Sequence, residues 1–416
     1  MTERADIAVL GAGIVGVSTA LHLLQRGRTV LLIDRREPGE ETSYGNAGVV
    51  ARDALVPVLF PQGVQALWPF ALNRTVAAHY HLRDLLGFAP WLAALRRNSA
   101  PAVVERYATI ADRLAREVVR AHHALAGPAG AEHLFRQTGW LRIFRTPEGF
   151  AGAEKRLLAK ARAAGVAFEV LDTAATLAIE PHLEPAFHRA ILFPETESVA
   201  SPGRVTQAYA EHFIANGGRF LKREIAEIRP LAKGFEIGVG GETVHADQVV
   251  VCLGIWSKAA LKPLGYDLPL APKRGYHRHY APAGEASLSR PVVDIENGCL
   301  VTPMLDGIRL TTGVEFARHD SRPTPVQIAR SEAAMRELFP LGAPVEATPW
   351  MGSRPCFPDS LAAIGPAPNH QGLWFNFGHG HEGFSQGPAA GHLLADLVTW
   401  SRPLVDPEPY SPARFS

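Results

Sequence analysis

The residues best suited to chemistry start near the N-terminus. Gly11, Gly13 and Gly16 form a G-x-G-x-x-G set between the apolar run 7–10 and the helix-patterned stretch 17–25, and a second apolar run, 29–33, ends at Asp34. Such a β-α-β unit holds a dinucleotide. The first glycine permits the tight turn, the second lets backbone approach a pyrophosphate, the third lets the helix pack on the sheet, and the acid accepts hydrogen bonds from ribose hydroxyls. The phosphates would rest at the helix start, Ile14 and Val15, where free N–H groups and the dipole favour negative charge. Far along the chain, Arg354 lies in Gly352-Ser353-Arg354-Pro355; the planar fork of an arginine can bind a carboxylate, but residue type alone does not separate that use from a solvated or ion-paired arginine. His277-x-His279 and His379-x-His381 have a spacing that invites a metal, but no carboxylate or cysteine at ligand spacing completes either set, so no metal is expected.

The elements that must position these groups belong to two or three domains, given 416 residues. Lys plus Arg (42) nearly cancel Asp plus Glu (41), which leaves no global field to gather nucleic acid and makes a small molecule the expected partner. Cys252, Cys299 and Cys356 are far apart and odd in number, as in a reducing compartment. The chain runs from Met1 almost directly into its first strand, with no room for a signal peptide, and a cytoplasmic location is expected. Residues 54–73 carry no charge and are long enough to span a bilayer. Pro57, Pro61 and Pro69 with Gln62, Gly63 and Gln65 break any continuous helix, so a buried loop is expected, with contact to a membrane surface as the alternative.

Hydrophobic periodicity assigns three discontinuous stretches to one nucleotide-binding domain: 1–50, 197–265 and 342–416. The second holds a helix at 204–216, short strands at 219–228 and 234–239, and a strand at 248–253. The third ends in an amphipathic helix, 389–399. Residues 51–196 and 266–341 form the other domain, helical over 75–126, mixed over 133–193, sheet-like over 270–312, with a helix at 325–339.

The polar, glycine-rich segment Glu41-Thr42-Ser43-Tyr44-Gly45-Asn46-Ala47-Gly48 follows the β-α-β unit. With Cys252-Leu253-Gly254-Ile255-Trp256-Ser257, Gly352-Ser353-Arg354-Pro355 before Pro358-Asp359, and Gly378-His379-Gly380 before Gly383, it resembles the FAD-dependent D-amino acid dehydrogenase and oxidase family over almost the whole chain. The resemblance implies an α/β fold: a Rossmann-like FAD-binding domain of the glutathione-reductase and D-amino acid oxidase type, with an inserted α+β, antiparallel-sheet substrate domain. It implies non-covalent FAD, since Cys356 lies too near Pro358-Asp359 to match the cysteine that carries FAD in some amine oxidases of the superfamily. Cofactor contacts would come from Gly11, Gly13, Ile14, Val15, Gly16, Asp34, Arg35, Ser43, Asn46, Ala47, Gly48, Ile225, Gly254, Trp256, Gly378, Gly380, Glu382, Gly383 and Phe384.

On the substrate side, the resemblance puts the carboxylate on Arg354, with Tyr276 and His379 as further catalytic groups and His381 as a further substrate contact. Family members often add a tyrosine from a strand like 297–303. Here Cys299 and Leu300 stand in its place, and Tyr276 or Tyr280 would compensate from a neighbouring strand. Alternation puts Tyr276, Arg278 and Tyr280 on one face, His277 and His279 on the other. His381 and Glu382 either meet the substrate or pair with each other at the rim. The implied reaction oxidises the amine of a D-amino acid to an imine by hydride transfer to flavin N5. Segments 273–277, 296–298, 309–316 and 354–359 look closest to the branch acting on D-proline or cis-4-hydroxy-D-proline. A D-alanine-type dehydrogenase, a glycine or sarcosine-type oxidase and a non-catalytic flavoprotein subunit are the alternatives. Electrons would pass to oxygen, or to a quinone of the respiratory chain at the inner membrane.

Overall fold

Strand β1 (Glu3–Leu10), helix α1 (Ile14–Gln25) and strand β2 (Val30–Asp34) lie where the glycine set predicts them. The structure is a computed structural model and describes residues 3–61 and 63–416. β1 runs parallel to β2 on one side and to β3 (Glu242–Val251) on the other. The sheet has eight strands, in the order 219–222, β2, β1, β3, 235–239, 225–230; strand 373–377 joins the C-terminal end of β3 in parallel, and 363–366 pairs with 373–377. Ile7, Val9, Leu10, Leu31, Ile33 and Val250 are fully buried. Strands covered on both faces read as unbroken apolar runs, which is why 7–10 and 29–33 do not alternate.

Helix α1 is buried nearly all round, because the C-terminal helix Gly383–Val398 crosses it closely. A Cβ on Gly391 would lie 2.8 Å from the Thr19 nitrogen, so only glycine allows this crossing. The C-terminal helix starts six residues earlier than the periodicity predicts, at Gly383 instead of 389. Its first turn therefore abuts the glycine loop at 378–382 directly.

The second sheet has eleven strands, mostly antiparallel. Its spine is β4 (Ala271–Pro282), which pairs with 307–311 along one edge and with β5 (Trp350–Cys356) along the other. A three-stranded ribbon pairs 49–50 and 135–136 on either side of 197–199. Two segments sit apart from the domain expected for them. β5 and 341–344 extend the second sheet, although 342–416 was assigned to the nucleotide side. Conversely, helices Pro101–Ala115 and Val118–Ala126 bury Ile110, Leu114, Val118 and Leu125 in the same core as Val9 and Val17. Periodicity shows which face of an element is apolar, not which partner covers it.

The uncharged stretch 54–73 is only partly the buried loop expected. Leu55 is fully buried, but Val64–Ala71 forms a short helix with Trp68 63% exposed. Pro69 falls late in that helix and shortens it without preventing it. Gln62, invoked against a span here, lies outside the described residues. No helix among the described residues is long and apolar enough to cross a membrane.

Candidate active site

A single cavity of about 620 Å³ runs from Asp34 to Arg354, between the two sheets. At its nucleotide end Gly11 turns the chain with φ +105°, and a Cβ there would lie 2.5 Å from the Cys252 carbonyl oxygen. No residue but glycine fits. Asp34 accepts hydrogen bonds from the backbone of Ala12 (2.7 Å) and Arg36 (3.0 Å), which fixes its carboxylate beside the turn. Ser43 Oγ accepts from the Ile14 nitrogen at 2.9 Å, so the first N–H of α1 is taken by this side chain and is not free as the sequence suggested. Arg35 packs over the Trp256 ring at 4.5 Å and bonds Glu41, walling the cleft with Ile225 and Gly254.

The polar loop after β2 is held from the opposite sheet. The buried Arg309 guanidinium donates to the carbonyls of Tyr44 (2.8 Å) and Asn46 (2.5 Å), and its Nε donates to His279 Nε2 at 3.0 Å. His279 Nδ1 faces Glu346, so its ring is the neutral tautomer with Nε2 free to accept. Burial, with Arg309 adding to it, lowers the His279 pKa; His277 is driven well below the usual histidine range by burial, Arg309 and His279. His277 stacks on Trp350 (ring centroids 4.8 Å apart). Neither histidine lines the cavity; both stand behind the loop.

On the substrate side, Arg354 donates to the carbonyls of Gly313 (2.8 Å) and Thr312 (3.1 Å). Its guanidinium lies over Gly275, where a Cβ would come within 2.5 Å of both Nη1 and Nη2. Two of its donors are thus anchored, and the rest of the fork is left for a carboxylate in the cavity. Tyr276 is a correction. Its hydroxyl donates to Glu315 (2.7 Å), which also pairs with Arg274 (2.5 Å) on the opposite face of β4 from Gly275. Burial first, then Glu315, pushes that hydroxyl up to about 12. The ring lines the cavity, but the hydroxyl is not the second point of a carboxylate clamp. Tyr280 is engaged likewise, with Glu332 at 2.7 Å. Leu300 lines the cavity and Cys299 turns into the core, as alternation requires.

In the last loop, His379 is buried, lines the cavity, and its Nε2 has no partner among the described residues. Burial lowers its pKa to about 4, so the ring is neutral. His381 and Glu382 resolve to the pairing alternative, at 2.9 Å; His381 holds the Glu382 carboxyl below its usual range against the opposing effect of burial. Gly13, Ala47, Gly378, Gly380, Gly383 and Phe384 all line the cavity. Gly16 and Gly48 do not: a Cβ on Gly16 would meet the Gly11 carbonyl, and one on Gly48 the Val199 carbonyl at 2.8 Å, so both act through packing.

The sequence profile of the FAD dependent oxidoreductase family (DAO) matches residues 6–397. The chain belongs to that family. This oxidoreductase is 31% identical over 424 residues to a D-amino acid dehydrogenase of Rhizobium johnstonii, covering 98% of this chain and 99% of the relative. It is 28% identical to a D-amino-acid oxidase of Bradyrhizobium diazoefficiens over the full length of both. Glycine oxidase from Geobacillus kaustophilus shares the fold with a TM-score of 0.76 at 21% identity, covering 99% of this chain and 98% of that one. L-proline dehydrogenase from P. horikoshii does so with a TM-score of 0.77 at 19% identity, covering 100% and 98%.

The cavity fits FAD. A side chain on Gly13 would meet only Ser43 Oγ, at 3.2 Å, so the space over that backbone is kept for a ligand. An acid stands at the ribose end, the start of α1 follows with its first N–H held by Ser43, and the glycine loop leads into a second helix start at Gly383. The oxidoreductase also brings to the cavity Lys273, Gly275 and Trp350, which the sequence reading left unassigned. Alternation along β4 and β5 was the available signal: Lys273 and Gly275 share a face, as do Trp350, Gly352 and Arg354. His79, His81 and Glu315 bring ligand atoms within 4.8 Å of one another, yet Glu315 is already neutralised by Arg274. That cluster is an ion-pair and hydrogen-bond network, completed by Thr324.

Proposed function

We propose that this oxidoreductase oxidises the amine of a D-amino acid to an imine, with D-proline or cis-4-hydroxy-D-proline as the preferred substrate. The observation that carries the reading is the Arg354 guanidinium, seated over Gly275 in the cavity wall with donors left to take a carboxylate. Relatives named D-amino acid dehydrogenase and D-amino-acid oxidase align over the whole chain and support the substrate class. The cyclic preference is supported by the likeness of segments 273–277, 296–298, 309–316 and 354–359, and by the apolar walls Leu300 and Trp350, which suit a compact ring.

FAD supplies the two-electron sink for the Cα hydride. The chain supplies position. Arg354 fixes the carboxylate, and with that group fixed only one configuration at Cα turns its hydrogen toward the flavin. Trp350 and Leu300 line the wall and would keep water from the reacting carbon, and His379 lines the cavity as a neutral ring whose Nε2 is buried without a partner among the described residues. The amine must be uncharged for its lone pair to assist the hydride's departure, so activity rises with pH as the bound ammonium loses its proton. A cyclic imine can then leave without hydrolysis in the site. Electrons go on to oxygen or to a quinone; in the second case exposed Trp68, Leu72, Leu82 and Leu86 would give a peripheral contact with the membrane surface.

An anaerobic panel of amino acids, followed by flavin bleaching, tests the reading. D-Proline or its cis-4-hydroxy derivative should reduce the flavin faster than D-alanine, and L-proline should not react. Comparable rates for acyclic D-amino acids would make this a general D-amino acid dehydrogenase. Reaction with L-proline, glycine or sarcosine alone would overturn the D-specific assignment, and no bleaching by any would favour an electron-relay subunit.

A further inference from the structure

We propose that Lys273 is the second cationic contact for the substrate carboxylate, closing with Arg354 the clamp that Tyr276 cannot make. The proposal rests on the reading of Arg354 as the first contact. Lys273 and Arg354 are register partners across β4 and β5, and Lys273 shares its face of β4 with Gly275, the residue over which the Arg354 guanidinium lies. Lys273 is 2% exposed and lines the cavity. Its ammonium has no hydrogen bond or ion pair among the described residues; the Trp91 ring lies 5.8 Å from Nζ. A buried ammonium without an anion is costly, and lysines are almost never buried unpaired.

The described residues around it do not provide that anion. β4 and β5 contain no acidic residue. Glu315, the nearest acid in the adjoining strand 314–316, is taken up by Arg274 and Tyr276 on the other face. The ionisable groups that face Lys273 are Arg354 and Cys356 of β5; helix Leu82–Asn98 contributes the Trp91 ring. Two cations therefore converge on one end of the cavity with no protein carboxylate between them. A carboxylate from the substrate answers both, the guanidinium through its fork and the ammonium as a point charge. Burial holds the Lys273 amine below the ordinary lysine range, with Cys356 opposing and Arg354 reinforcing the shift. Rising pH therefore removes this cation earlier than it would an exposed lysine, and carboxylate affinity falls with it.

The probe is pyrrole-2-carboxylate, which has no α-hydrogen to lose and no ammonium to titrate, with pyrrole-2-carboxamide as its neutral counterpart. Binding is read from the flavin absorbance of the holoenzyme and of Lys273→Met, Lys273→Arg and Arg354→Ala. Lys273→Met should weaken the carboxylate tenfold or more and leave the carboxamide unchanged, and Lys273→Arg should restore most of the loss. In the unaltered enzyme the carboxylate affinity should fall as pH rises toward 10, and in Lys273→Arg it should stay flat. With substrate, Lys273→Met should raise KM far more than it lowers kcat. Equal carboxylate affinity in Lys273→Met, with loss in Arg354→Ala, overturns the role of Lys273 and leaves Arg354 standing. Should Lys273→Met fail to fold, the pH comparison decides, and a flat profile in the unaltered enzyme overturns the proposal. None of these binding readouts needs turnover, so they stand apart from whether a D-amino acid is the substrate.

Discussion

Arg354 occupies space that only glycine at position 275 leaves free. That makes Gly275 as informative a target as the arginine itself. Arg354→Ala should lower kcat/KM by roughly 2 to 5 kcal/mol, the cost of truncating one partner of a buried charge pair, with Arg354→Lys recovering part of it. Gly275→Ala should raise KM at unchanged flavin content, because the three atoms nearest its methyl group all belong to the Arg354 guanidinium, which it displaces. Steady-state kinetics beside the flavin-to-protein ratio separates the two effects, and normal KM in Gly275→Ala would remove Arg354 from the substrate site. At this scale the family likeness singled out Arg354 in Gly-Ser-Arg-Pro, and the structure places it in the cavity wall. Tyr276 misled because a phenol has several uses, and nothing local announces a Glu315 that folds in 39 residues later.

Each element divides its work by alternation. β4 turns Lys273 and Gly275 to the cavity and gives Arg274 and the Tyr276 hydroxyl to the buried cluster around Glu315, while Tyr276 also lines the cavity. The strand was foreseen, but which face meets the ligand depends on its neighbours, and β5 was placed with the wrong sheet. The glycine turn was fully legible, since its spacing encodes its geometry, and it yields a paired test. Gly13→Val should fold and elute without flavin, because only Ser43 Oγ lies near the new side chain and the lost space belongs to the cofactor. Gly11→Ala should instead lose stability, being forced to φ +105° and 2.5 Å from the Cys252 carbonyl. Thermal melts with flavin fluorescence distinguish them. Arg309→Met should shed FAD readily on gel filtration, roughly a tenfold or greater loss of affinity, since two carbonyls of the loop lose their donor.

Across the molecule, the buried imidazoles set how stability responds to acid. Burial, ahead of the neighbouring His392, lowers His22 to about 3; burial takes His122 and His379 to about 4. An unfolded histidine titrates near 6.5, so between about pH 6.5 and 4 the unfolded chain binds protons that the folded chain refuses. The stability present above pH 6.5 is therefore lost as pH falls, on the order of 1 to 2 kcal/mol for each ring by pH 5. Melting curves from pH 7 to pH 4.5 should show a steady decline, and a flat profile would mean that these rings take protons in place. The broad plan of two sheets was legible from apolar runs and their punctuation. The placement of helices Pro101–Ala115 and Val118–Ala126 was not, because packing partners distant in sequence leave no periodic trace.

The loop after β2 lies with the first sheet in sequence but is gripped by Arg309 of the second, which His279 holds in place. An ancestor that changed its diet by rebuilding the second sheet would have had to keep those two side chains in register or surrender its cofactor. The pocket wall is thus free to diversify only around a fixed rivet. A chimera that grafts a relative's second sheet onto this first one should lose flavin whenever the graft lacks that rivet, however well its new wall suits the substrate.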